Sequence, residues 1–467
     1  MSSESTRESL ARLREEALAD TPARARLQQL FDEGSFHELD AFVRSGEHAT
    51  GVLTGFGDVN GSPVYAFSQD ASSKGGAVGR AHAAKICRIY DLAAKTGTPV
   101  VGFFDSTGAD VSEGLDALAA YGDILKSTAA VSGVVPQISI VMGTCAGSAA
   151  LIASGADFVL MTKDAEFFVA PPFLTDPKGE HGAGSAGNAS KSGAVSLVAE
   201  DEDDAIDVAR KLLTLLPGNN LSEVPLFEYE DGEGEPSSSQ NAEELVASIA
   251  DADSVLELSA DFGTAAYTAF GTVRGAGVGF VATNKTAAKL SPADCAKMAR
   301  FVRTCDAFSI PVITLVDTEG FALSASDELS GSVRDMTKLA FAYAEATTVK
   351  ISVVTGKAFG PAFVTLAGTN ANADLTFAWD SASISALAPA TAVEFLWRDR
   401  ITDASARPAL EQEYAETEAA AVHAAAAGYV NAVLTPAQTR GALLSALEIT
   451  AGKRVARLAK KHGNLPL

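Results

Sequence analysis

Cysteine is scarce in this chain, and the four present, Cys87, Cys145, Cys295 and Cys305, form no CxxC pair and no Cys/His ligand spacing. Neither a disulfide framework nor a zinc site is indicated, so no bound metal is expected and reduced cytosol is the default compartment. Positive charge is also short: 36 basic residues stand against 59 acidic ones, a net charge of −23. Such a surface repels polyanions and argues against nucleic acid as a partner. It leaves room for a small anion held by a local cluster or a helix N-terminus. No apolar run reaches the roughly 18 residues of a membrane helix. Met1 to Ala25 is charged and helix-like, without the apolar region of a signal peptide. The expectation is a soluble, cytoplasmic protein with no direct membrane insertion. A peripheral place at a membrane complex stays open, because a soluble subunit needs no membrane signal of its own. The six histidines are scattered and no serine sits in a GxSxG elbow, which argues against a serine hydrolase.

What the chain does have is repetition. Thr54-Gly55-Phe56-Gly57-Asp58-Val59-Asn60-Gly61 returns as Thr268-Ala269-Phe270-Gly271-Thr272-Val273-Arg274-Gly275, each ahead of an apolar strand, Val64 to Phe67 and Val278 to Val281. Lys85 and Lys297 open matching helices. These lead to Thr98-Pro99 and a strand ending Asp105-Ser106-Thr107-Gly108 in one half, and to Ile310-Pro311 and a strand ending Asp317-Thr318-Glu319-Gly320 in the other. Each half then runs into a buried strand with a small-residue turn, Cys145-Ala146-Gly147-Ser148-Ala149 and Phe359-Gly360-Pro361-Ala362-Phe363. The period of roughly 210 residues is far above that of a solenoid, so each copy is a whole α/β domain.

The expected organisation is a helical arm over 1–46, for packing or oligomerisation, and a first domain over 47–227. A solvated acidic linker over 228–245 and a second domain over 246–467 complete it. Val59-Asn60-Gly61-Ser62-Pro63 signals a hairpin turn. Gly55-x-Gly57-x-x-x-Gly61 imitates a dinucleotide loop but lacks the helix that should follow. Thr175 to Ser192, rich in Gly, Ser and Ala, is expected as a mobile surface loop. Its Lys191-Ser192 fails as a P-loop for want of the preceding glycine.

Open α/β folds place ligands at strand ends, which directs attention to the two small-residue turns. Between a strand and a helix, such a turn lets backbone approach a ligand and offers amide N–H groups to an oxygen gaining negative charge. The pair has the chemistry of two oxyanion holes, though small residues also serve plain helix-sheet packing. Cys145 at a helix start invites a lowered thiol pKa, against the simpler reading of a buried small residue. Asp105 and Glu113 are an acid/base pair in residue type, but an Asp after a strand more often caps a turn.

Asp105-Ser106-Thr107-Gly108-Ala109, Glu113-Gly114, Tyr121-Gly122, Ser132 to Ser139 and Cys145-Ala146-Gly147 together resemble the carboxyltransferase subunit of biotin-dependent acyl-CoA carboxylases, the propionyl-CoA carboxylase β type above all. The resemblance continues through Lys297 to Arg303, Cys305 to Pro311, Ala342 to Thr347, Ala373-Asp374, Ala378-Trp379 and the terminal Lys461 to Leu467. It implies a tandem duplication of two crotonase-like (ClpP/crotonase) ββα-superhelix domains, an α/β fold, assembled as a homo-dimer or hexamer. Acyl-CoA is then expected on the N-terminal domain and biotin on the C-terminal one. Implied catalytic positions are Gly147, Ser148, Gly360 and Ala362. Implied substrate-binding positions are Ser106, Gly108, Ala109, Cys145, Ala146, Phe363 and Val364. Carboxybiotin would release CO2 and leave an anion that takes the α proton of the thioester, and the enolate would attack CO2. Two oxyanions need stabilising, one per domain. No methionine precedes a lysine, so the biotin is expected on a separate biotin carboxyl carrier protein, charged by a separate biotin carboxylase.

Departures from the family pattern cluster at the turns. Gly356-Lys357 stands for Arg-Lys, and Phe359-Gly360-Pro361-Ala362-Phe363 for Tyr-Gly-Gly-Ala-Tyr, so Pro361 brings no amide hydrogen. Ser148 replaces a glycine, Asp110 an arginine, Glu319 a proline before Gly320 and Asp380 a proline after Trp379. Phe363 and Val364 make the nearby wall apolar. Four readings stay open: an active carboxyltransferase on a short acyl-CoA (propionyl-CoA or acetyl-CoA class); the α subunit of a sodium-pumping methylmalonyl-CoA or glutaconyl-CoA decarboxylase, with membrane decarboxylase subunits as partners; a weakened CoA-binding or scaffolding paralogue; and another crotonase-type chemistry. The acyl group itself is not fixed by these residues.

Overall fold

Asn60 and Gly61 take φ of 49° and 75°, and Arg274 and Gly275 take 53° and 76°. Two successive left-handed residues make the type I′ turn whose twist suits a two-residue hairpin. The first domain's hairpin therefore closes between Val59 and Ser62, and the second's between Val273 and Ala276.

The computed structural model describes residues 6–46, 48–232, 234–456 and 458–465. Met1 to Ser5 of the expected arm, Glu233 of the acidic stretch, and Pro466 and Leu467 of the terminal segment lie outside the described residues. The chain divides into two units between Glu223 and Val224.

The first unit carries β1 (His37–Leu39), β2 (Val52–Val59), β3 (Ser62–Gln69), β4 (Val100–Ser106), β5 (Gln137–Ala146), β6 (Phe158–Thr162), β7 (Glu166–Phe168) and β8 (Leu197–Ala199). Their order is β1-β2-β3-β4-β5-β6-β8, with β7 also on β5. β1, β2 and β3 pair antiparallel, and every later pairing is parallel. Its helices include α1 (Pro22–Leu30), α2 (Arg80–Thr96), α3 (Leu115–Val131), α4 (Ser148–Ala153) and α5 (Ala186–Lys191).

The second unit repeats this plan with β9 (Leu256–Glu257), β10 (Tyr267–Val273), β11 (Ala276–Ala282), β12 (Val312–Thr318), β13 (Lys350–Phe359), β14 (Leu375–Trp379), β15 (Ser383–Ser385) and β16 (Ala432–Leu434). The order is β9-β10-β11-β12-β13-β14-β16, with β15 on β13. Among its helices are α6 (Ala242–Ile249), α7 (Pro292–Ala307), α8 (Ser332–Glu345) and α9 (Pro361–Leu366). The same strand order, with the same extra short strand on the same neighbour, is the duplication in three dimensions.

Packing explains several repeated residues. Thr54 Oγ1 donates to the Leu39 carbonyl at 2.9 Å and Thr268 Oγ1 to Leu258 at 3.0 Å, tying each hairpin to the segment before it. A Cβ on Gly102 would stand 2.3 Å from the Phe67 ring, so the glycine makes room for a buried aromatic between adjacent strands. Lys85 and Lys297 do not open their helices. Each lies five residues beyond the first, Arg80 and Pro292, and is buried. Lys85 Nζ donates to Val52 O at 2.7 Å and Lys297 Nζ to Ala266 O at 2.9 Å, fastening helix to hairpin. Burial pushes both ammonium groups down to about 8.

Three expected segments differ. From Pro22 onward the arm is part of the first unit: Leu27 and Leu30 are fully buried, and β1 is the sheet's edge strand. Arg26 ties it further, to Glu202 at 2.6 Å and Asp105 at 3.1 Å. The acidic stretch 228–245 belongs to the second unit, where Asp231 pairs with Arg440, and Asn241 and Glu244 close a capping box on α6. The expected mobile loop from Thr175 is a folded turn. The Asp176 carboxylate accepts the N–H groups of Glu180, His181 and Ala183 at 3.0, 2.9 and 3.3 Å. Ser185 then caps α5, which buries Ala186 and Ala189.

Candidate active site

The site begins with a register shift. Phe104 pairs with Val141 but Ser106 pairs with Cys145, so β5 advances four residues while β4 advances two. Val316 with Val354 and Thr318 with Ala358 repeat the shift between β12 and β13. Such bulges re-aim a strand end. The extra residues bring a glycine against an aspartate: a Cβ on Gly143 would stand 2.3 Å from Asp105 Oδ1, and one on Gly356 2.2 Å from Asp317 Oδ1. Beyond the shift, Gly147 and Gly360 turn the chain with φ of 64° and 48°. Their N–H groups are committed to Phe168 O and Ser385 O, both at 2.9 Å.

The facing strand matches as closely. Gly108 and Gly320 have φ of 109° and 108°. Each N–H is received by the hydroxyl two residues earlier, Ser106 Oγ and Thr318 Oγ1, at 3.1 Å. Each carbonyl takes a further N–H, from Val78 at 2.8 Å and from Leu290 at 3.0 Å.

In the first unit these turns line a cleft of about 780 Å³, with Thr107, Gly108, Ala109, Thr144, Ala146, Gly147, Ser148 and Glu166 along one part and Phe168, Val169, Pro171, Pro172 and Phe173 along the other. It brings together Gly108, Ala109, Ala146, Gly147 and Ser148 of the expected residues. Two others are absent. Ser106 is buried and spends its hydroxyl on Gly108, and Cys145 is fully buried with its thiol pushed up by burial, the opposite of an activated nucleophile. The cleft's wall from Glu166 to Phe173 was missed, because it reaches the site only through the parallel pairing of β7 on β5.

The helix-start donors are also narrower than expected. Gly147 and Gly360 shape the turns without offering free N–H groups. Ala149 is buried at 1% and Ala362 at 0% exposure, so neither amide is open at the surface. In α4, Ser148 is partly exposed and its N–H has no intrahelical acceptor. The matching residue of α9 is Pro361, which has no N–H. Phe363 is partly buried and Val364 exposed on α9.

Two of the remaining departures, Asp110 and Glu319, are neutralised locally. Asp110 accepts from Ser112 and from Lys74 Nζ at 3.0 Å, and these bonds hold its carboxyl below the usual range. Glu319 is ion-paired with Lys357. Glu113 accepts the Arg80 N–H at 2.7 Å at the start of α2, and Asp105 pairs with Arg26, so this candidate acid/base pair has structural work. Among the described residues no group of three or more His, Cys, Asp or Glu is placed to hold a metal, and no helix is long and apolar enough to cross a membrane.

Residues 19–465 match the Carboxyl transferase domain. The chain belongs to the carboxyl transferase family. It is 38% identical to the propionyl-CoA carboxylase beta chain of Saccharopolyspora erythraea, over 95% of this chain and 90% of that protein. It is 37% identical to the methylmalonyl-CoA decarboxylase subunit alpha of Propionigenium modestum, over 95% and 93%. The crystal structure of transcarboxylase 12S, a hexamer with hydrolysed methylmalonyl-coenzyme A bound, matches with a TM-score of 0.92 at 34% identity, over 99% of this chain and 98% of that one. The two units are thus the duplicated crotonase-like domains of a carboxyltransferase, each with the same turn at a strand end.

Proposed function

We propose that this carboxyltransferase moves a carboxyl group between carboxybiotin on a separate carrier protein and a short acyl-CoA, working in the cytoplasm as a homo-dimer or hexamer. The observation that carries the reading is the doubled turn, one strand-end site in each half of a family-matched chain. The first unit is the acyl-CoA side. Its cleft has apolar Ala146, Phe168, Val169 and Phe173 for a short acyl chain, and Ser148 N–H for the thioester oxygen as it gains charge. The second unit is the biotin side, with Gly360, Phe363 and Val364 at its turn. Carboxybiotin would supply the carboxyl group and, as the biotin anion left behind, the base for the acyl α proton; this chain's part is to orient the partners and exclude water.

The partners are a biotin carboxyl carrier protein and a biotin carboxylase. A second reading, the α subunit of a decarboxylase that runs the transfer in reverse, is favoured by the near-equal identity to carboxylase and decarboxylase relatives. Transfer of labelled carboxylate from methylmalonyl-CoA or malonyl-CoA to biotin by the purified protein tests both. Absence of transfer, with carrier present, sinks them together. Co-purification of a biotin carboxylase or of a membrane decarboxylase subunit decides between them.

A further inference from the structure

The two strand-end sites differ most in charge. In the first unit Thr107, Thr144 and Ser148 line the cleft uncharged, and the charged side chain there is Glu166, opposite Thr144, whose counterpart in the second unit is Ser383. The counterparts of Thr107, Thr144 and Ser148, by strand register and turn geometry, are Glu319, Lys357 and Pro361. Relative to the first, the second site lacks an amide donor and carries an ion pair. Glu319, the residue after β12, is ion-paired with Lys357 on β13, each about half exposed. Lys357 follows Gly356 in the bulge, and its own N–H is fixed at 2.9 Å to Asp317 Oδ1. Its side chain therefore leaves a pinned backbone at the C-terminal end of a parallel strand, where such folds bind ligands.

We propose that Lys357 receives the carboxylate being transferred, and that Glu319 is a positioning residue which occupies the ammonium until that carboxylate arrives. This rests on the carboxyl-transfer reading above. An ammonium at this place supplies the positive end that Pro361 cannot, and it favours an anion over its neutral product. Glu319 is a built-in competitor of the same chemical class as the ligand. It keeps the cation oriented, and it weakens binding of any carboxylate that must displace it. The carboxylate has two sources, the acyl-CoA and the carboxybiotin, and both pose the same chemistry to Lys357.

The test uses the full chain in its native assembly. Calorimetric titration with methylmalonyl-CoA and propionyl-CoA, ligands that differ by the transferable carboxylate, reads the acyl source. The KM for chemically prepared carboxybiotin, with propionyl-CoA as acceptor, reads the biotin source. Lys357→Met is expected to weaken one of these carboxylate ligands roughly tenfold while leaving propionyl-CoA affinity unchanged. Lys357→Arg restores most of the loss. Glu319→Gln is expected to strengthen the same ligand several-fold, with the gain shrinking in high salt. Equal weakening of methylmalonyl-CoA and propionyl-CoA, or no change in either arm, overturns the proposal. Wild-type transfer with unaltered variants condemns this inference alone, whereas absence of wild-type transfer condemns the functional reading it rests on.

Discussion

Gly356 and Asp317 share a space that holds only one side chain. The Asp317 carboxylate fills it, 2.2 Å from where a Cβ of residue 356 would stand, and receives the Lys357 N–H at 2.9 Å. In the first copy the corresponding carboxylate, Asp105, is paired with Arg26 at 3.1 Å.

Gly356→Ala is therefore expected to displace the Asp317 carboxylate and cost about 1–2 kcal/mol in denaturant unfolding. Gly356→Arg restores the residue type of the family pattern and gives the displaced carboxylate a guanidinium partner, so it should cost less than the alanine. A larger loss for arginine than for alanine contradicts this account.

Pro361→Ser copies the first turn into the second and returns an N–H to the start of α9. Transfer from carboxybiotin should rise about tenfold or more, since one oxyanion donor is worth roughly a hundredfold in other enzymes. Loss of a well-placed proline should lower stability by about 0.5–1 kcal/mol. An unchanged rate would show that the second site works without a donor there.

Lys297→Met removes a buried ammonium whose pKa is pushed down to about 8 from 10.5. The sign follows from proton binding. Below pH 8 the lysine is charged in both states, so folding carries the full penalty. Between 8 and 10.5 the unfolded chain holds a proton that the folded chain does not, so stability of the lysine protein rises with pH. Wild type should gain on the methionine variant by about 1 kcal/mol per pH unit across that window, read from urea midpoints. A difference independent of pH rules this out.

Asp110→Asn leaves Lys74 without its carboxylate. Because Asp110 has a lowered pKa, its contribution is present above the ordinary carboxylate range and is lost as pH falls through the lowered value. The variant should be less stable than wild type at neutral pH and equal to it in strong acid, with thermal unfolding as the measure.

The duplication, the hairpins and the two turns could be read in the residues because each rests on local chemistry: Asn-Gly at a type I′ turn, glycines beside large residues, small residues at a strand-helix junction. What escaped were effects of pairing at a distance. Asp110 reads as a misplaced negative charge until Lys74 is seen beside it, 36 residues away in sequence. Glu319 and Lys357 are 38 residues apart, and nothing local joins them. Cys145 and Ala362 looked available because their sequence neighbours are; burial by the sheet, which only the fold reveals, takes both out of reach. The segment from Thr175 reads as flexible by composition, but one carboxylate, Asp176, gathers three of its amides.

The register shift carries a chronology. A strand that advances four residues against its neighbour's two, with a glycine facing an aspartate at the same place in both halves, is an inheritance from a single ancestor that already possessed the bend before its gene doubled. Whatever differs between the halves came afterwards. Pro361 where the first half has Ser148, and Glu319 with Lys357 where it has Thr107 and Thr144, mark where the two copies of that bend have parted.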